Sequence, residues 1–165
     1  MAQFSFDIVS DYDKAEMNNV FDQIQRELAN RYDFKGTSAE VIWLNSDRTG
    51  FKVMGDAQFQ LDAIADIIRK KLAARGQSQM VIDVTQEPLT TNLKMHWEVP
   101  FQKGLDHEKA KTITKLIRDE YPKVKTQIQG EEVRVASQKK DELQAVMQLL
   151  KKQDYNFPLS FTNFR

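Results

Sequence analysis

The chain opens on a short run in which Phe4, Phe6 and Ile8 alternate with Ser5 and Asp7, the period-two pattern of a strand buried on one face. Helical spacing replaces it. Met17, Val20, Phe21, Ile24 and Leu28 recur along one side, and Ser10 or Asp13 can cap the start by accepting free backbone amides. Beyond RYDFKG (31–36), two apolar runs, AEVIWL (39–44) and GFKVMG (50–55), flank a polar stretch at 45–49 and read as a hairpin. Asp56 is placed to cap a second helix with Phe59, Ile64, Ile67, Ile68 and Leu72 inward, Gly76 to close it, and MVIDV (80–84) to supply a fourth strand. TQEPLTTN (85–92) is polar, contains Pro88 and follows neither period, which marks a linker.

The same order then recurs. Met95, Trp97, Val99 and Phe101 alternate as a strand, and Asp106 caps a helix with Ala110, Ile113, Ile117 and Tyr121 inward. Pro122 ends that helix, because proline disfavours helical geometry in the residue before it. VKTQIQG and EVRVA pair about Gly130-Glu131, Ser137 caps the last helix, and PLSFTNF (158–164) is the final strand. Individual residues repeat as well: the segment from Gly50 lies over the segment from Glu132 without a gap, setting Val53 on Val135, Leu61 on Leu143 and Ile64 on Val146.

Each half therefore predicts a βαββαβ unit of the ferredoxin-like α+β class, a four-stranded antiparallel sheet with two helices on one face. The expected domains are 1–91 and 92–165. A half of roughly 80 residues buries limited apolar area, so the two are expected to dock. The pattern leaves open an exchange of the N- or C-terminal strand between the sheets, since periodicity says which face is buried and not which neighbour is paired.

Charge narrows the function. The chain carries 24 basic and 24 acidic residues, so no net field draws it to nucleic acid or lipid, and any such role rests on a local patch. The absence of cysteine removes disulfides, thiolate chemistry and Cys-based metal sites, and fits a reducing compartment. No apolar run reaches the ~18 residues needed to span a bilayer, and the N-terminus lacks a signal-peptide pattern; the expected location is the cytoplasm, with no membrane association. His96 and His107 have neither zinc-site spacing nor a nucleophile with its base, and no G-x-x-x-x-G-K loop exists. The expectation is a binding protein rather than an enzyme, with no metal and no cofactor.

SFDIVS (5–10), RYDFKG (31–36), LTTN (89–92) and LSFTNFR (159–165) together resemble the YajQ family, over the whole chain. That resemblance implies a bacterial protein with a tandem of RNA-recognition-like domains that binds a nucleotide, with cyclic di-GMP, GTP, ATP and tRNA all in view as ligands.

Two readings of RYDFKG stand. Arg31 and Lys35 beside Tyr32 and Phe34 can hold phosphate while a ring stacks on a base, with Gly36 permitting a tight turn; equally, the segment can close a helix and tuck an aromatic into the core. Asn163 and Arg165 at the C-terminus invite a bidentate phosphate clamp or a frayed end. GFKV echoes the third-strand signature of RNA-recognition modules, yet its alternation leaves too few outward rings for a stacking platform. The basic series Lys109, Lys111, Lys115, Arg118, Lys123 and Lys125 suits contact with a phosphate backbone.

The leading expectation is a regulatory protein that recognises a purine nucleotide or cyclic di-GMP in a cleft between the halves and signals to a protein partner. Its candidate ligand residues are Arg31, Phe34, Lys35, Gly36, Arg118, Asn163 and Arg165. The rivals are an RNA-binding protein using Lys109, Lys111, Lys115, Lys123 and Lys125, and a protein–protein adaptor using an exposed sheet face.

Overall fold

The computed structural model describes residues 3–165 and divides them into two units. One is continuous, Tyr12–Gln102; the other joins the described residues up to Asp11 to Lys103–Arg165.

The continuous unit contains α1 (Lys14–Asn30), β2 (Glu40–Trp43), β3 (Gly50–Gly55), α2 (Gln58–Ala74), β4 (Leu89–Thr91) and β5 (Lys94–Pro100). Its strands lie in the order β2-β3-β5-β4, every neighbour antiparallel. The discontinuous unit contains β1 (Phe4–Val9), α3 (His107–Glu120), β6 (Lys125–Gln129), β7 (Glu132–Ser137), α4 (Lys140–Lys151) and β8 (Ser160–Thr162), in the antiparallel order β6-β7-β1-β8. Each is an α+β unit of two helices and four strands in ferredoxin-like spatial order. The repeat is structural too: β3 and β7, and likewise α2 and α4, begin 82 residues apart.

The consecutive boundary at residue 91 is corrected by this topology. The first strand of each sequence half lies in the sheet of the other: β1 pairs β7 with Asp7 opposite Arg134, and β5 pairs β3 with Val53 opposite Trp97. The chain passes between units at 11–12 and again at 102–103. Both strands bury one face by the same alternation, so either could complete either sheet as far as periodicity goes.

Three local expectations are also revised. MVIDV forms a short 3-10 turn at Gln79–Val81 and a single bridge from Ile82 to Phe101; the fourth sheet position goes to Leu89–Thr91, within the presumed linker. Its residues are all exposed, so no alternation announced it. Asn92 and Leu93, at φ 52° and 66°, make the two-residue turn into β5. Asp56 does not cap α2; its own N–H donates to Gln60 Oε1, and Gln60 and Leu61 are buried where Phe59 was expected and is instead exposed. Asp13, rather than the buried Ser10, caps α1 by accepting from the amides of Ala15 and Glu16.

Each unit has its own core between sheet and helices. Met17, Ile24, Phe51, Val53, Ile64 and Trp97 are buried in the continuous unit, and Phe6, Ile8, Ile113, Val133, Val135 and Val146 in the other. Residues alternating with these, such as Ser5, Asp7 and Arg134, stand on the sheet face opposite the helices. No described helix is long and apolar enough to cross a membrane.

Candidate functional site

The helix-free face of the β6-β7-β1-β8 sheet is where charge gathers. Phe6, Ile8, Val133 and Val135 point to the helices, so Ser5, Asp7, Arg134 and Ala136 occupy the other side. Lys125 and Gln127 lie opposite Ala136 and Arg134 on edge strand β6. At that edge a hollow of about 720 Å³ is lined by Gln3, Ser5, Arg118, Lys125, Gln127 and Arg134, together with apolar contributions from Pro122, Val124 and Ala136. Arg118 reaches it from the last turn of α3, which Tyr121 and Pro122 terminate.

Two of these cations are unpaired: neither Arg118 nor Lys125 forms an ion pair or side-chain hydrogen bond with another described residue. Arg134 is held. Its Nε donates to Asp7 Oδ1 at 2.9 Å and an Nη to Oδ2 at 3.4 Å, while Asn163 Nδ2 donates to Asp7 Oδ2 at 2.8 Å. Asp7 is only 4% exposed. The Arg134 hydrogen bond holds its carboxyl below the ordinary carboxylate range against burial, which pushes it up; Asn163 and the charges of Arg134 and Arg165 add to the lowering.

The C-terminal residues are built into this sheet. Beyond β8, Ser5 and Arg165 exchange backbone hydrogen bonds at 3.2 and 3.0 Å, and Asn163 takes a left-handed φ of 58° that its side chain tolerates better than most. The terminal segments SFDIVS and LSFTNFR thus meet as adjacent strands, with Asp7 opposite Thr162.

The RYDFKG residues lie in the other unit. Arg31 forms a fork with Asp33, at 3.0 and 2.8 Å, and approaches Glu27 at 3.6 Å. Phe34 is 7% exposed and belongs to the core, with the Arg31 guanidinium 5.0 Å above its ring. Lys35 sits 5.9 Å from the exposed Tyr32 ring, and Gly36 adopts φ 75°. The segment thus ends α1 with its arginine ion-paired and its inner ring in the core.

In the basic series, Lys109 is placed over the Phe157 ring at 5.0 Å, while Lys111, Lys115 and Lys123 are exposed. Lys111, Lys115 and Arg118, spaced i, i+4 and i+7, share one flank of α3 that leads to the hollow. Arg118 and Lys125 are therefore brought together, and Asn163 and Arg165 are brought to Asp7. Asp7, Gln127 and Arg134 were missed by sequence reasoning. A charged residue centred in FSFDIV and in EVRVA was the available signal, and it reads equally as an ordinary solvent-facing strand position.

Two further hollows have the opposite character. One of about 480 Å³ in the continuous unit counts Asp62, Asp66 and Glu87 against Arg69, and one of about 390 Å³ in the discontinuous unit counts Asp11, Glu131 and Glu132 against Lys103. Both disfavour an anion. Among the described residues no group of three or more His, Asp or Glu is arranged to hold a metal, and the cationic hollow contains no aromatic ring for base stacking.

A family model described as nucleotide-binding protein YajQ-like matches residues 4–165. Three relatives called nucleotide-binding proteins align over nearly all of both chains. One from Nocardioides is 44% identical, covering 100% of each; one from Nostoc punctiforme is 43% identical, covering 98% of each; and one from Thermobifida fusca is 41% identical, covering 99% of each.

Proposed function

Because the chain belongs to the YajQ-like family of nucleotide-binding proteins, we propose that it binds a nucleotide by its phosphates in the hollow formed by Arg118, Lys125 and Arg134. The observation that carries this reading is the convergence of two unpaired cations and a fixed guanidinium on one concavity, while the other hollows described are acidic. A volume of about 720 Å³ is within the range of small-molecule sites. Arg118 and Lys125 supply uncompensated charge, and Arg134 supplies directed N–H donors. Gln127 and Ser5 offer hydrogen bonds to sugar or base edges, and Pro122 and Val124 offer apolar contact. Purine mononucleotides, GTP, ATP and cyclic di-GMP are the ligands to test. The protein acts as a non-catalytic regulator whose occupancy is read by a partner, which requires the ligand to favour one conformational state over another.

Calorimetry with GMP, GTP, ATP and cyclic di-GMP tests the reading. At least one should bind more tightly than ~100 μM, about −5.5 kcal/mol, and Arg118→Ala or Lys125→Ala should weaken it. Failure of all four to bind at that level ends the proposal.

A second reading, contact with structured RNA, draws on the Lys111, Lys115 and Arg118 flank. It predicts affinity that falls steeply with salt as counterions are released from each neutralised phosphate. Weak salt dependence with retained mononucleotide binding decides for the small-ligand site.

A further inference from the structure

On the premise of that phosphate site, we propose that Asp7 is a positioning residue: anchored by Asn163, it orients the Arg134 guanidinium toward the ligand. The chain of contacts begins at the C-terminus. The Ser5–Arg165 backbone pair fixes the last turn of chain, Asn163 Nδ2 donates to Asp7 Oδ2 at 2.8 Å, and Asp7 takes Nε and one Nη of Arg134. A guanidinium has five N–H donors, so this side-on fork consumes two and leaves three. Arg134 lines the hollow, and its remaining Nη donates to no described residue.

Burying a carboxylate in mid-sheet is a poor way to gain stability, because desolvation offsets most of the Coulombic attraction and an apolar pair of similar size does as well. The arrangement serves orientation better. A fork held on one side loses its rotamer freedom before ligand arrives, and the entropy of fixing it need not be met on binding. Asn163 is thereby part of the site without touching the ligand, and the C-terminal residues are a structural component of it rather than a loose end.

Charge and orientation make opposite predictions, which makes the proposal sharp. Replacing Asp7 by Asn removes a negative charge from beside an anion site, so attraction alone predicts tighter binding. Positioning predicts weaker binding, because the amide offers one acceptor oxygen where the carboxylate offers two.

The test uses the full chain with GTP and, separately, inorganic pyrophosphate in calorimetry. Asp7→Asn should bind both about tenfold more weakly, on the scale of one lost charge-assisted hydrogen bond. Asn163→Ala leaves the charge unchanged and should bind about threefold more weakly. Asp7→Asn added to Arg134→Ala should cost nothing further, since the two act as a unit.

Equal or tighter binding by Asp7→Asn, or additive losses in the double variant, overturns the proposal. Should Asp7→Asn fail to fold, unchanged affinity in Asn163→Ala overturns it instead. A wild-type chain that binds neither these probes nor GMP, ATP or cyclic di-GMP removes the phosphate site itself, whereas wild-type binding with an unaffected Asp7→Asn removes only the positioning role. A wild-type chain that binds neither GTP nor pyrophosphate but does bind another of the nucleotides overturns the positioning role toward a shared phosphate.

Discussion

Residues 103–165, which the discontinuous unit takes from the second half of the chain, should fail to fold alone, and a peptide carrying β1 should rescue them. The sheet they belong to has β1 in an interior position, flanked by β7 and β8. Removing that strand takes Phe6 and Ile8 from the core, both fully buried. Large-to-small changes at such sites cost about 3–5 kcal/mol for Phe and 2–5 kcal/mol for Ile. Losing the whole strand also leaves the backbone groups of β7 and β8 that faced it without partners, each costing about 1–3 kcal/mol where water cannot reach. The sum exceeds the stability of a small unit, for which the usual range is about 5–15 kcal/mol and small size favours the low end.

Far-UV circular dichroism of 103–165 should show an unfolded chain. Adding a synthetic 3–11 peptide in trans should restore helix and sheet content with a saturable transition. A permuted chain running 103–165, a short Gly-rich turn, then 3–11 should fold without help, because Arg165 and Ser5 are already paired as antiparallel neighbours and a loop of a few residues closes such a hairpin. Tyr12–Gln102, which contains all four of its strands, should fold by itself. Cooperative unfolding of 103–165 without the peptide, or a permutant that stays unfolded, would refute the exchanged topology.

Phe34→Ala should lower stability by about 3 kcal/mol, as a core truncation, and leave nucleotide affinity of the folded protein unchanged; chemical denaturation and calorimetry separate the two effects. Leu93→Gly should stabilise by about 0.5–1 kcal/mol, read as a higher melting temperature, because Leu93 is 90% exposed at φ 66° where a two-residue turn favours glycine. Asp7, lowered chiefly by Arg134, and Glu27, lowered chiefly by Lys71, are depressed in the folded state. Their contribution is therefore complete above the unfolded values, about 4, and disappears as pH falls through the folded ones. Denaturant midpoints measured from about pH 6 down to pH 2 should drop on the acid side, and Asp7→Asn should flatten that drop; a flat wild-type profile contradicts it.

α1, α3 and α4 carry strong 3.6-residue apolar faces, α2 a weaker one on which Phe59 stands outside, and the β3–α2 and β7–α4 segments were legible because their repeat is gapless. β4 was not: three exposed residues at Leu89–Thr91 carry no periodicity, and the apolar MVIDV beside them competed for the assignment. The candidate site was half legible. Arg118, Lys125, Asn163 and Arg165 stood out as cations and terminal polar groups, whereas Asp7 and Arg134 are 127 residues apart and mean nothing to each other until a sheet aligns them.

The amino-acid order by itself determined the four helices, the strands other than β4, the apolar side of most of them, and that the unit occurs twice. Beyond the two hairpins, tertiary structure alone decided which strand lies beside which. Alternation encodes a buried face, and β1 and β5 encode the same one, so partner choice depends on how the connections at 11–12 and 102–103 run through space. Because β1 crosses over, Asp7 comes to face Arg134 and the two chain ends share a sheet, and the cationic hollow owes its fixed guanidinium to that pairing.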